Sequence, residues 1–348
     1  MFELRDKIIG TCASTQSESV LQPLELGGRR QNELLFFLKP ECFLTSTQSQ
    51  QADLVETVMR RFDEFGCRVC GCVVIRGPKL RADQIMDRHY GFINGASRDV
   101  VSILGPGELA ALRAAVGANP ETPILGGHEF LAAHPMSDEK SLDALWASRK
   151  ARKLRSGLYF ESYVFEDQPV ILVNGFHPAQ LAHFTRDDRK IVLMVLESEM
   201  PWKVLRSTML GDTFPERAVA DSIRRTLYEN PQRFGLADVS IANNCSHLSA
   251  GPFEALFELW NFLGSSRTAD FKLDHTRMWK LAGAVGVREA DVLRALENPV
   301  AQVGGERRSL FDATEELDSC SSAHLFARMF CGNQKGRDER VLVLSDEE

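Results

Sequence analysis

The sequence holds no apolar run near the roughly 20 residues that a membrane-spanning helix needs. Its opening residues carry no basic stretch leading into a hydrophobic segment. A membrane span and a secretory leader are therefore not expected, and the chain reads as soluble and cytoplasmic. Cysteine is too sparse for a disulfide scaffold, with eight in 348 residues, so free thiols are the expectation. Cys67, Cys70 and Cys72 in CRVCGC come nearest to a metal motif. They lack a second ligand pair at comparable spacing and read as small buried strand residues. An excess of positive charge is also missing. A net charge of −7 opposes broad binding to nucleic acid or anionic membrane, yet a phosphate pocket needs only a few cations.

Apolar residues are plentiful. At 44% hydrophobic content the chain can bury a full core, and its length suits about two domains. Residues 1–31, rich in Gln, Ser and Gly, read as an N-terminal tail. The run ELLFFL at 33–38 has strand length and is stopped by Lys39-Pro40, which leaves Lys39 at a strand end. Residues 52–65 repeat apolar side chains at helical spacing until Gly66, a strand is expected over 70–75, and a second amphipathic stretch spans 82–90. This order is β-α-β-α. Strong strand character returns at 190–196 (KIVLMVL), followed by a helix over 201–209, a short strand over 239–242 and a helix after His247.

Residues 97–185 separate the two halves and are too apolar for a loop, so an inserted subdomain is expected. It contains a helix over 107–116, a Gly126-Gly127 turn, a polar helix over 141–155 and a hairpin of 158–165 with 169–173. Residues 264–332 read as a helical C-terminal region, and 333–348 as a charged tail. The pair of helices expected around Gly286 looks locally like a helix-turn-helix. A packed helix hairpin is favoured, because the region has no one-sided basic face for phosphate contacts.

The chemistry concentrates in Asn244-Cys245-Ser246-His247-Leu248-Ser249. His247 is expected in a polar loop before a helix that Ser249 would cap, with Pro252 in the first turn. Glu258 falls within that helix. A carboxylate there can bond one imidazole nitrogen and leave the other with a free lone pair, which makes the histidine a nucleophile.

Together with other separated residues, this loop resembles the nucleoside diphosphate kinase family across about 31–97 and 186–263. The family's K-P-D is matched by Lys39-Pro40-Glu41, and its helix-ending tyrosine by Tyr90 of His89-Tyr90. Its M-L-G-E-T-x-P is matched by the residues from Met209 to Pro215, its I-R by Ile223-Arg224, and its N-x-x-H-x-S by Asn244, His247 and Ser249. The family's glutamate falls on Glu258. Departures accompany the match: Glu41 replaces aspartate, Cys42 replaces glycine, Arg206 stands one residue farther from Thr213, and the stretch between Arg224 and Asn244 is expanded.

The resemblance implies an α/β (α+β) chain with a ferredoxin-like βαββαβ antiparallel core at 32–96 and 186–263. It implies phosphotransfer between nucleoside triphosphates such as ATP and nucleoside diphosphates through phosphohistidine on His247. Lys39, Arg206 and Arg224 would be the cations, Thr213 a phosphate donor, Asn244 a sugar and phosphate contact, and Tyr90 and Glu258 would position the ring. Mg²⁺ would arrive mainly through the nucleotide's phosphates, and self-association is implied because family members are oligomers. The family's short lid helix has no counterpart, so the insertion is expected to rebuild the lid, with Phe92, Phe130 or Phe176 as base platform. A regulatory nucleotide-binding protein on the same fold is the alternative.

Overall fold

The computed structural model describes residues 2–11, 16–155, 157–266 and 269–331. The charged tail and Cys12 lie outside the described residues. Every residue of strand β2, Asn32–Leu38, is buried. Leu34, Phe36 and Leu38 enter one core and Leu35 and Phe37 another, so the strand has apolar cover on both faces and reads as a continuous apolar run.

Two more strands do the same: β3, Arg68–Arg76, and β8, Lys190–Ser198. β8 pairs antiparallel with both β2 and β3, and β9, Ser246–Leu248, closes onto the far edge of β2. With β1, Glu18–Gln22, added beside β3, the sheet order is β1-β3-β8-β2-β9. Without β1, the spatial order β3-β8-β2-β9 and the antiparallel pairings define a ferredoxin-like α+β core.

One face is packed by the helices Gln48–Glu64 and Ile223–Glu229 through Leu54, Val58, Phe62, Ile223 and Leu227. Thr47 starts the first of these with a reciprocal capping box to Gln50. The other face is covered by Ile85, Leu181, Phe184, Leu259 and Phe262. They come from the helices Ile85–His89, His177–Thr185 and Pro252–Leu263. These are the elements that converge on the candidate site.

Between β3 and β8 stands a second sheet of four strands. They are β4, Ile124–Gly126; β5, Arg152–Arg155; β6, Leu158–Phe165; and β7, Gln168–Val173, in the order β4-β7-β6-β5. β6 and β7 form the expected hairpin, turned at Glu166 and Asp167 with φ of 48° and 61°, the left-handed pair a tight two-residue hairpin requires. Gly126-Gly127 is not a turn. Gly126 ends β4, and the helix Gly127–Ala133 begins at once. The helix expected over 141–155 is the shorter Glu139–Ala147, because 152–155 pairs as β5.

Other expectations also need correction. Residues 1–31 are no tail: the helix Phe2–Gly10 buries Leu4 and Ile8 in the main core, and β1 pairs with β3. No strand forms over 239–242, since the pairing edge of β2 is taken by 246–248. The C-terminal region is not purely helical. It contains the helices Arg277–Ala284, Glu289–Ala295, Leu310–Thr314 and Ser319–Met329, and also a hairpin of β10, Val300–Val303, and β11, Glu306–Ser309. Met278, Ala282, Val292 and Ala295 are buried in one cluster, so the pair around Gly286 is a packed helix hairpin. This region covers Phe253 and Leu256 on the outer side of Pro252–Leu263. Among the described residues no helix is long and apolar enough to cross a membrane.

Candidate active site

His247 sits in the edge strand β9 opposite Phe37, rather than in a loop. Strand pairing turns its ring flat onto Phe37, with centroids 4.6 Å apart and planes 19° apart. The imidazole keeps 19% of its side-chain surface exposed, so one edge reaches solvent while the other is held by protein. Nε2 lies 2.6 Å from Oε1 of Glu258, which is 1% exposed. With Glu258 ionised, Nε2 donates and the Nδ1 lone pair is free. Burial and the nearby charges of Lys39, Arg224 and Arg206 hold the His247 pKa well below its ordinary value, which keeps the ring a neutral base.

Ser249 does not cap the helix, whose N-cap is Gly251. Its hydroxyl instead donates to Oε2 of Glu258 at 2.5 Å and accepts from Leu35 N at 3.1 Å, fixing the carboxylate to the sheet. Burial raises the Glu258 pKa to about 7, against the lowering effects of His89, Ser249 and Arg206.

The cations arrive from three elements. Lys39 follows β2, and its Nζ donates to Oδ1 of buried Asn244 at 2.6 Å. Arg224, 8% exposed, donates to the carbonyls of Gly211 at 3.1 Å and Ser246 at 2.9 Å. It therefore ties the 209–215 turn to β9, and burial pulls its pKa down to about 10. Arg206 pairs with Glu315 at 3.5 Å and Glu316 at 3.8 Å. Arg206, Gly211, Asp212, Thr213, Arg217 and Arg224 line a cleft of about 310 Å³, with Glu316 at its wall. Thr213 is exposed there. Gly211, at φ +94°, is required because a Cβ would lie 2.5 Å from Ser222 Oγ. His247 does not line this cleft; Arg224 does, and it also bonds the carbonyl of the preceding residue, Ser246.

Tyr90 is placed differently from the expectation. Its ring packs on Phe184 and His177, and the ring edge-on to His247, at 4.9 Å, is that of His89. His89 Nδ1 lies 3.4 Å from the same Glu258 oxygen, and burial drives its pKa down to about 3. Glu41 also contributes. Its carboxylate accepts from the Cys245 N–H at 2.9 Å and contacts His183 Nε2 at 2.8 Å, holding the start of β9 to the turn that carries Lys39. Burial opposes its charge, but His183 and Lys39 outweigh it and keep the pKa below the ordinary value.

His89, His183 and Phe37 were missed from sequence because their roles arise from pairings with residues far away in chain order, such as His183 with Glu41 and Phe37 with His247. The only usable signal for Glu41 was its place beside Lys39-Pro40. Among the described residues, His89, His247 and Glu258 are the one group of three His, Cys, Asp or Glu side chains whose donor atoms converge as metal ligands do. Cys67, Cys70 and Cys72 are buried free thiols.

Of the candidate base platforms, Phe130 is 1% exposed inside the second sheet's core and is closed to a ligand. Phe176 packs on Trp146 and Tyr159. Phe92 is 38% exposed, beneath the Arg155 guanidinium.

No family model matches the chain, and no curated protein matches it. Among solved structures, it is similar to the nucleoside diphosphate kinase of Encephalitozoon cuniculi in its apo cubic form. The identity is 12% and the TM-score 0.34, covering 69% of this chain and 94% of that one. An NDP kinase from Pyrobaculum aerophilum gives 14% identity and a TM-score of 0.33, covering 69% of this chain and 100% of that one. This is a distant likeness of fold and carries no argument about activity.

Proposed function

We propose that the protein is a nucleoside diphosphate kinase-like phosphotransferase working through His247. The observation that carries the reading is the 2.6 Å contact of His247 Nε2 with the buried Glu258 carboxylate, beside a cleft lined by arginines. Nδ1 attacks the γ-phosphorus of a magnesium-bound nucleoside triphosphate, an N–P bond forms, and the bond to the β,γ-bridging oxygen breaks. The diphosphate leaves. A second diphosphate then attacks the phosphohistidine, and the ring returns to its free state.

Lys39, Arg206 and Arg224 offset charge on the transferring group, Thr213 donates to a phosphate, Asn244 contacts the sugar and phosphate side, and Tyr90 braces the site through His89. Mg²⁺ enters as part of the nucleotide substrate. The cleft offers mostly guanidinium groups and few carboxylates, so the nucleotide's own oxygens supply most of its ligands. Cytoplasmic location and self-association belong to the same proposal.

Incubation with γ-labelled ATP and Mg²⁺ tests it. The expected product is an acid-labile, base-stable label, discharged by added diphosphate and absent in His247→Gln. Failure to label at saturating nucleotide refutes the reading. One observation favours a second reading, a nucleotide-binding regulatory protein: Arg206 is already paired to Glu315 and Glu316. Nucleotide binding with no label supports that alternative.

A further inference from the structure

We infer that His89, His247 and Glu258 form a two-imidazole, one-carboxylate site for a zinc-class divalent cation, and that occupancy of this site switches the His247 nucleophile off. The donor atoms all lie within 4.8 Å of one another. A second, independent observation concerns His89 Nδ1. Its side chain is 6% exposed and faces Glu258 Oε1 at 3.4 Å, yet this nitrogen is buried with no hydrogen-bond partner. A buried orphan of this kind calls for a reason. No hydrogen bond forms between this nitrogen and the carboxylate at that separation, and a cation between them would serve both.

Tetrahedral zinc binds nitrogen and oxygen at roughly 2.0–2.2 Å, which sets ligand atoms about 3.3–3.5 Å apart. The 3.4 Å spacing of His89 Nδ1 and Glu258 Oε1 already meets this. The 2.6 Å contact of His247 Nε2 with the same oxygen must open by somewhat under an ångström as a metal ion replaces the proton. Ser249 donates to Oε2, so Oε1 is the oxygen left to ligate.

The ligands are held by their supports. Asn261, on the same helix as Glu258, donates to Ile85 O at 2.9 Å and accepts from Arg88 Nε at 2.7 Å. The helices carrying Glu258 and His89 are thus fixed to each other, as support around ligands requires.

The switch follows from proton placement. When a metal takes the Nε2 lone pair, the neutral imidazole carries its proton on Nδ1, the atom that would attack phosphorus, and any proton on Glu258 passes to solvent. Mg²⁺, a hard ion that prefers oxygen, does not compete for two imidazoles, so the ion that accompanies the nucleotide leaves the switch untouched. The nearby charges of Lys39, Arg224 and Arg206 oppose a second cation, which restricts the site to ions with strong nitrogen affinity.

The metal site stands on geometry, whereas its inhibitory effect rests on the proposed phosphotransfer. Cobalt(II) chloride, added to the untagged full chain, is the probe. The expected result is one equivalent bound with visible d–d absorption and no thiolate charge-transfer band, weakened by more than about tenfold in His89→Gln and in Glu258→Gln. Circular dichroism verifies that each variant is folded. If one variant does not fold, the other decides. No binding, a thiolate band, or binding unaltered by these substitutions in folded protein overturns the site. In a separate arm, zinc is expected to block labelling of His247 by MgATP in the wild type and to spare residual labelling in His89→Gln. Equal zinc sensitivity overturns the switch. A chain that binds cobalt as described but never labels refutes the phosphotransfer reading and leaves the metal site standing.

Discussion

Replacing Glu258 by glutamine tests the link between the buried acid and the proposed nucleophile, His247. Glu258 accepts from Nε2 of His247 at 2.6 Å and from Ser249 at 2.5 Å while only 1% exposed, so solvent screening is negligible. A charge-assisted hydrogen bond of this kind is worth about 1.5–3 kcal/mol. At about 1.36 kcal/mol per tenfold, its loss predicts a roughly 10- to 150-fold slower first-turnover labelling of His247 at saturating MgATP. The amide also presents a donor that selects the wrong tautomer.

The pH profile sharpens the test. The Glu258 pKa is raised to about 7, so its ionised form, the one that accepts from Nε2, is populated as pH rises through about 7. His247 is already neutral there, and the wild-type rate should climb across that interval. The glutamine variant should be flat and meet the wild type at low pH. The same raised pKa means that Glu258 itself favours folding below its unfolded value, and this contribution is lost as pH rises from about 4.5 to 7. Thermal melts across that same interval check that the protein stays folded while the rate rises. A variant with the wild-type rate, or with the wild-type pH profile, would refute the reasoning.

Three further outcomes are expected. Arg224→Ala removes bonds to two buried carbonyls and should cost about 2–3 kcal/mol of stability, read from urea unfolding, together with nucleotide affinity; an unchanged midpoint would contradict its bridging role. The Glu315→Gln, Glu316→Gln double variant frees Arg206, and because these groups are partly exposed the gain is at most about 1 kcal/mol, a strengthening of ATP binding up to roughly fivefold by calorimetry. Weaker binding would oppose the proposed competition. Phe92→Ala should weaken ATP by about fivefold or more if the base stacks there, and equal affinity would remove Phe92 as the platform.

Much of the central sheet was legible. The runs at 33–38, 70–75 and 190–196 lie within β2, β3 and β8, because strands buried on both faces must be apolar throughout. The partly buried edge strand β1, ESVLQ, gave no such signal. Neither did β10 and β11, whose polar hairpin turns at Gly304-Gly305 with φ of 63° and 89°. The His247 and Glu258 pair was readable because strand, turn and helix lie within 12 residues of chain. Strand placement of His247 was not, since it depends on β2 offering an open edge. His89 beside Glu258, and Glu315 and Glu316 beside Arg206, were hidden because local sequence does not encode which distant surfaces meet.

The central position of β8 has a consequence for the nascent chain. β2 and β3 are not neighbours; both await a partner that emerges only after residue 190. At the usual pace of about 5–20 residues per second, the ribosome spends roughly 6–23 s on the intervening stretch while both ladders stand open. That stretch carries its own closed hydrophobic clusters, so it can settle first and keep its apolar surface away from the waiting edges. Slowing translation ahead of β8 should therefore raise the demand for chaperones that shield unpaired strands.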